Sequence, residues 1–174
     1  SQLPENLSKM LVHGYQSLIF NKVLDMRINE GIDACLPQVG DCVMPADGYG
    51  GPDQRVIIEV TERNRSKLSK RCREGKAWIA GLLPGANSNF SKGIQGELER
   101  EVMNIYGVRF EDFIIEDIPD LSSYGMYRPL FQKYNDLDIE FDSENPIFSF
   151  WLHKGTYATS FLREIMKSMD VTVY

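Results

Sequence analysis

Cysteine and histidine are nearly absent from this sequence: Cys35, Cys42 and Cys72, with His13 and His153, are all that 174 residues contain. No two cysteines have C-x-x-C spacing, so neither a zinc site nor a disulfide framework is expected, and no metal ligand set is assigned. Long hydrophobic runs are missing too. Nothing approaches eighteen uncharged apolar residues, and SQLPENLSKM lacks the basic-then-apolar layout of a secretory signal, so the expectation is a soluble cytoplasmic protein with no membrane partner. Positive charge is in deficit, with 19 Lys and Arg against 25 Asp and Glu and a net charge of -6. Taken alone, that balance disfavours nucleic acid, because phosphate binding is driven by clustered Lys and Arg. What is present is ordinary: 43% hydrophobic and 25% charged residues, the composition of a folded globular chain. The length suits one domain or two small lobes with a sizeable core. There is no internal repeat and no low-complexity segment.

The charge is unevenly spread. Between Thr61 and Lys76, seven basic residues (Arg63, Arg65, Lys67, Lys70, Arg71, Arg73, Lys76) face two acidic ones, a local net of +5 that leaves -11 for the remainder. The distribution therefore restores an RNA-facing reading that the sum removes. A solvated cationic helix face is the alternative reading of the same run.

Periodicity assigns the elements. Leu7, Met10, Leu11, Tyr15, Leu18, Ile19, Val23 and Met26 recur at spacings of three and four, predicting a helix over 4–30 that ends at Gly31. Short β-like runs follow at 39–44 and 55–61, separated by the turn-rich loop PADGYGGPD. Asn64 is a candidate N-cap for a short cationic helix with Leu68 and Cys72 on its apolar side. A strand is expected at 77–83, a helix at 95–106, a strand at 113–116 and a connection at 119–124. Leu137, Ile139 and Phe141 alternate with acids, predicting a half-buried strand that the turn SENP joins to 147–152 as a hairpin. A last helix is expected over 157–168, with Thr156 as its N-cap.

The richest stretch is FWLHKGTYATSFLREIMK, where an apolar strand breaks at Lys-Gly-Thr into an amphipathic helix. Free N–H groups and a partial positive charge at a helix start, with Lys154 beside it, suit an anion such as phosphate. An ordinary strand-to-helix junction that binds nothing is the plainer reading. LPGANSNFSKG lacks the order of a nucleotide-binding phosphate loop, so nucleotide hydrolysis is rejected, and Gly85, Gly93 and Gly96 are read as serving backbone geometry.

The same letters carry a resemblance. LHKGTYATSFLREIMK resembles the C-terminal motif of the TruD family of tRNA pseudouridine synthases, whose archaeal members have a pattern like LPKGSYAT followed by LLREIMK; His153 stands for the usual proline and Thr156 for serine. LSKMLVHGYQSLIFNKVLDMRI is similar to the family's helix containing YQS and LFN, placing Tyr15, Gln16, Ser17, Phe20 and Asn21 on those positions. VGDCVM, VIIEVTERN, GLLPG, GIQGELEREVM and SSYGMYRPL follow in the family's order, so the resemblance covers almost the whole chain.

The resemblance implies an α+β fold in which 1–35 and 122–174 form part of a catalytic domain, interrupted by an inserted lobe at 36–121. It implies isomerisation of uridine 13 of tRNA to pseudouridine without cofactor or metal. The family's N-terminal aspartate motif, of G-x-K-D type, is not in this chain, so no catalytic residue is transferred. The chain then resembles the C-terminal half of the enzyme, expected to be inactive alone, with tRNA and the N-terminal half as partners and unusually apolar faces where that half belongs. Pocket-lining residues implied are Tyr15, Gln16, Asn21, Lys154, Gly155, Thr156, Tyr157, Thr159 and Arg163. For Tyr15 and Phe20 a core role competes, and for Gln16 and Asn21 mere capping or solvation of the helix. Arg163 with Glu164 as a surface ion pair is the plain reading of those two. Implied RNA contacts are Arg63, Arg65, Lys67, Lys70, Arg71 and Arg73, and Arg128, which could instead pair with Asp120. The rival function is a non-catalytic RNA-binding or regulatory module that keeps the fold; a purely structural partner is a third.

Overall fold

The structure is a computed structural model that describes residues 3–153 and 156–167. The chain forms two compact units that divide between Phe131 and Gln132. In the first, a 25-residue helix α1 (Glu5–Asn29) leads to strands β1 (Cys42–Pro45) and β2 (Ile58–Glu59), helix α2 (Arg65–Arg73), strand β3 (Ala77–Leu83), helix α3 (Gly93–Ile105), two 3-10 turns (Phe110–Phe113, Pro119–Leu121) and strand β4 (Met126–Pro129). The four strands form one antiparallel sheet in the order β2-β1-β3-β4. The architecture is α+β, as expected.

AWIAGLL makes the central strand β3 because a strand covered on both faces needs apolar side chains at every position. Val43 and Ile79, paired across β1 and β3, join Phe20 of α1 and Leu68 of α2 in one core cluster; Cys42, Met44 and Ala80 pack on the alternate positions. Ile19 and Val23 turn to α3, where Leu98, Val102 and Met103 meet them with Phe113. A Cβ on Gly81 would strike the Phe20 ring and Leu130, so only glycine lets α1 lie this close to the sheet.

The second unit holds a hairpin of β5 (Tyr134–Asp142) and β6 (Asn145–Leu152), joined by a two-residue turn at Ser143-Glu144, with helix α4 (Ala158–Met166). Ser143 takes positive φ at the first turn position, the pattern that matches the twist of the flanking strands. The Phe161 ring of α4 lies 4.6 Å from those of Tyr134 and Phe150, and these contacts dock the helix on the hairpin. No helix among the described residues is long and apolar enough to cross a membrane.

Four expectations are corrected. Residues 113–116 form no strand: Asp112 accepts the Arg109 N–H and closes a 3-10 turn that drives only Phe113 into the core. Strand β5 is exposed along its whole length, not half-buried. Asn64 does hold the N-cap position of α2, its carbonyl accepting from Leu68 N–H, but its side chain caps nothing: it turns back, accepting from Thr61 N–H and donating to the Glu59 carbonyl. Thr156 is not the N-cap of α4; Tyr157 holds that place without a side-chain cap, and the buried Thr156 hydroxyl has no hydrogen-bond partner among the described residues. Ser168 and Met169, the expected end of this helix, lie outside the described residues.

Candidate functional site

Helical geometry separates the α1 residues that the sequence groups together. Gln16, Ile19, Phe20, Val23 and Arg27 fall at spacings of three and four on the buried face. Gln16 donates both to the Pro84 carbonyl (2.6 Å) and to the Ser123 hydroxyl (2.7 Å), tying α1 to the GLLPG loop and the SSYG segment. It neither caps nor solvates the helix. Tyr15 is partly exposed and meets Tyr106 edge-on at 6.4 Å, while Asn21 faces solvent. Phe20 is core, with the Arg128 guanidinium of β4 over its ring at 5.4 Å. Leu7, Met10, Leu11 and Leu18 form a second apolar face of α1 that stays exposed.

In the second unit, Tyr157 and Thr159 are exposed at the start of α4 and Arg163 near its end. Thr156 precedes them, its N–H donating to the His153 carbonyl. Lys154 and Gly155 lie outside the described residues. Glu164 pairs with Lys167 at 2.6 Å, which holds its carboxyl below the usual range; Arg163 is not its ion-pair partner.

The cationic helix α2 buries Leu68 and, more loosely, Cys72, and turns its charges outward. Arg65 is partly committed to structure, donating to the Gln38 side chain at 2.8 Å. Lys70 and Lys76 share Glu74, at 3.9 and 2.8 Å. Arg63, Lys67, Arg71 and Arg73 have no carboxylate at ion-pair distance among the described residues, so they carry the uncompensated charge of this face.

Sequence reasoning missed a buried polar network. Arg27 is fully enclosed and donates to both oxygens of the equally enclosed Asp41 (2.7 Å each), to Gln95 (2.8 Å) and to the Asp33 carbonyl (3.0 Å). Gln95 donates onward to Glu99, which also accepts from the Ser91 N–H and hydroxyl. Burial pushes the Glu99 carboxyl up. The signal was present, since residue 27 continues the spacing of the buried face and therefore had to be an arginine at a core position. Burial also raises the thiols of Cys42 and Cys72, the latter to about 11, so both are poor nucleophiles at neutral pH.

Comparisons of the whole chain with known proteins agree with one another. The model of one protein family, tRNA pseudouridine synthase D (TruD), matches residues 1–165. The chain is similar to the protein named "Probable tRNA pseudouridine synthase D" in Methanosarcina acetivorans, 37% identical over 96% of this chain and 39% of that protein. Its namesake in Thermococcus sibiricus is 35% identical over 95% of this chain and 39% of its own length. The crystal structure of the "Putative tRNA pseudouridine synthase D (TruD)" from Methanosarcina mazei superposes with a TM-score of 0.86 at 38% identity, again over 95% of this chain and 39% of the other. The chain thus spans about two fifths of the length of the relatives it matches.

Proposed function

The chain belongs to the tRNA pseudouridine synthase D (TruD) family, and from that membership we propose that it forms part of an enzyme converting uridine 13 of tRNA to pseudouridine in the cytoplasm. The observation that carries this reading is the match along 95% of the chain to a solved TruD at 38% identity. In the isomerisation the C1′–N1 bond breaks, C1′ rejoins at C5, the C5 proton leaves and N1 gains one, so the atoms balance within the base. An enzyme acting on a base in folded RNA must extrude it and hold it by stacking and edge hydrogen bonds, at a cost of a few kcal/mol.

This chain's residues hold and orient in that scheme. Tyr157, exposed at the start of α4, stacks on or buttresses the flipped base; Thr156 and Thr159 line the same end; Lys154 and Arg163 bind phosphate or orient the carboxylate. On the first unit taken by itself, Asn21 is exposed on α1 and offers a polar edge to RNA, Tyr15 is exposed on the same helix, and Gln16 is spent on keeping the neighbouring loops in place. The carboxylate comes from a part of the enzyme outside this chain, so this chain alone is inactive. From the family resemblance we assign 1–35 and 122–174 to the catalytic domain and 36–121 to its inserted lobe, a division that does not follow the compact units, in the first of which Phe20 of α1 packs with β1, β3 and α2. The exposed apolar faces of α1 (Met10, Leu11) and of the hairpin (Ile139, Phe141, Ile147) support docking of the remaining enzyme onto them.

Release of tritium from tRNA carrying C5-tritiated uridine tests the reading. The complete enzyme, this chain together with the part that supplies the carboxylate, is expected to release it, and Tyr157→Ala to slow release tenfold or more. No release would leave the non-catalytic RNA-binding module as the function, and a wild-type rate in the variant would remove Tyr157 from the pocket.

The cationic face of α2 grips the RNA backbone in this proposal. Reversing Arg71 and Arg73 together to Glu is expected to weaken tRNA binding and to flatten its dependence on salt, since each phosphate contact contributes about one unit of slope. Filter binding between low and moderate salt reads both; unchanged binding would make α2 a merely solvated face.

A further inference from the structure

Tyr49 is the most exposed of the large hydrophobic side chains described, at 94%. Tyrosine is ordinarily half-buried, its ring packed and its hydroxyl bonded. Among the described residues its ring stacks on no other aromatic ring, and the hydrogen bonds that fasten its loop come from other groups. Asp47 accepts from the backbone N–H of Tyr49 (2.8 Å) and of Gly51 (3.0 Å). The Asp47 N–H donates to the Gly51 carbonyl (2.7 Å), and Asp53 donates to the Pro45 carbonyl (2.8 Å). Ala46 bridges Pro52, closing the neck of the loop. The loop is thus fastened by its own backbone and by one aspartate, and it carries Tyr49 at its tip.

Its base sits against the end of the cationic segment. The Ala46 N–H donates to the carbonyl of Lys76 at 2.9 Å, and Pro45 lies opposite Ala77 in the sheet. The loop therefore rises beside the residues that follow Arg71 and Arg73. The acids nearby do not oppose an anion there. Asp53 is held by Arg55 through two hydrogen bonds, Glu74 is held by Lys76, and in both cases the partner keeps the carboxyl below the usual range. Asp47 spends one oxygen on its own loop.

We infer that Tyr49 is an RNA-stacking residue, presenting its ring to an unpaired base of the RNA whose phosphates lie along α2. Cations that position a backbone and an adjacent exposed aromatic ring are the two parts of a single-strand platform, and stacking tolerates any base because every base has a π-face. The inference rests on the reading of α2 as the phosphate-gripping face.

The test measures binding of tRNA to the full-length gene product by filter retention at several salt concentrations. Tyr49→Ala is expected to weaken binding about fivefold or more, within the range found for loss of one stacked base. The salt slope should stay unchanged, because the ring carries no charge. Tyr49→Phe and Tyr49→Trp should bind like wild type. Its exposure predicts that none of the three changes the thermal midpoint, so a folding defect does not confuse the result. Wild-type affinity in Tyr49→Ala, with weakened binding in the Arg71→Glu, Arg73→Glu variant, overturns the stacking role and leaves the role of α2 standing. Weakened binding in Tyr49→Phe equal to that of Tyr49→Ala also overturns it, since the hydroxyl and not the ring would then be the contact. If Tyr49→Ala weakens binding and the charge reversal does not, the inference is overturned as stated, because the RNA that meets the ring would not have its phosphates along α2. Wild-type binding in every variant overturns both.

Discussion

Asp41→Asn is expected to destabilise the fold by about 3–5 kcal/mol, the loss typical when one partner of a buried ion pair is removed. Arg27 and Asp41 are both fully enclosed, and the arginine uses four of its five N–H donors on Asp41, Gln95 and Asp33. Asparagine offers one carbonyl oxygen and places an NH2 group where a second oxygen accepted from Arg27 and from the Gln38 N–H at 2.7 Å. The guanidinium is left charged, desolvated and partly unpaired. A typical domain has only about 5–15 kcal/mol in hand, so the urea midpoint should fall by a large fraction. Arg27→Met together with Asp41→Leu should cost much less, because no buried charge then remains. A double variant as unstable as Asp41→Asn would show that the network's hydrogen bonds, not its charge balance, hold α1, β1 and α3 together.

Gly96→Ala and Gly14→Ala are expected to have opposite signs although both residues are helical. At Gly96, in the first turn of α3, a Cβ would overlap the backbone carbonyl of Ser91, which no rotamer can relieve. Ser91 is the residue that donates twice to Glu99, so pushing its loop away also breaks into the buried network. Overpacking of this kind costs about 1–3 kcal/mol, more than the ~1 kcal/mol that alanine gains over glycine in a helix. At Gly14 in α1 nothing lies within 4 Å of a built Cβ, so alanine should stabilise this chain by about 0.5–1 kcal/mol. Thermal or urea denaturation of the two variants checks the pair; a stabilised Gly96→Ala would mean that the Ser91 loop yields freely.

Much of the fold was legible because the relevant signals are local. Spacings of three and four in α1 and α3, the unbroken apolar run of β3, and alternation across a tight turn in the hairpin each report their own element. The errors share a cause as well. Residues 113–116 look like a strand in hydrophobicity alone, but a strand needs a partner edge, and an Arg109–Asp112 turn was available locally. Thr156 has the chemistry of a cap, yet the chain enters α4 through Tyr157. Of the candidate site, the motif positions were readable as letters. Their separation was not, since Gln16 turns inward and Asn21 outward only once α1 has something to pack against.

Sequence alone determined most of the helices and strands and their order, though not the 3-10 turn at 110–113 or strand β4, and it determined the placement of the basic run on one short helix and membership of a family through motifs spread along the chain. Only the tertiary structure decided which of the two apolar faces of α1 is buried. It also decided that Arg27 finds Asp41 fourteen residues away and Gln95 sixty-eight away, and that Tyr49 stays exposed among the described residues. Periodicity says that a residue has a face. What that face meets depends on residues distant in sequence, and burial, ion pairing and exposure are set only there.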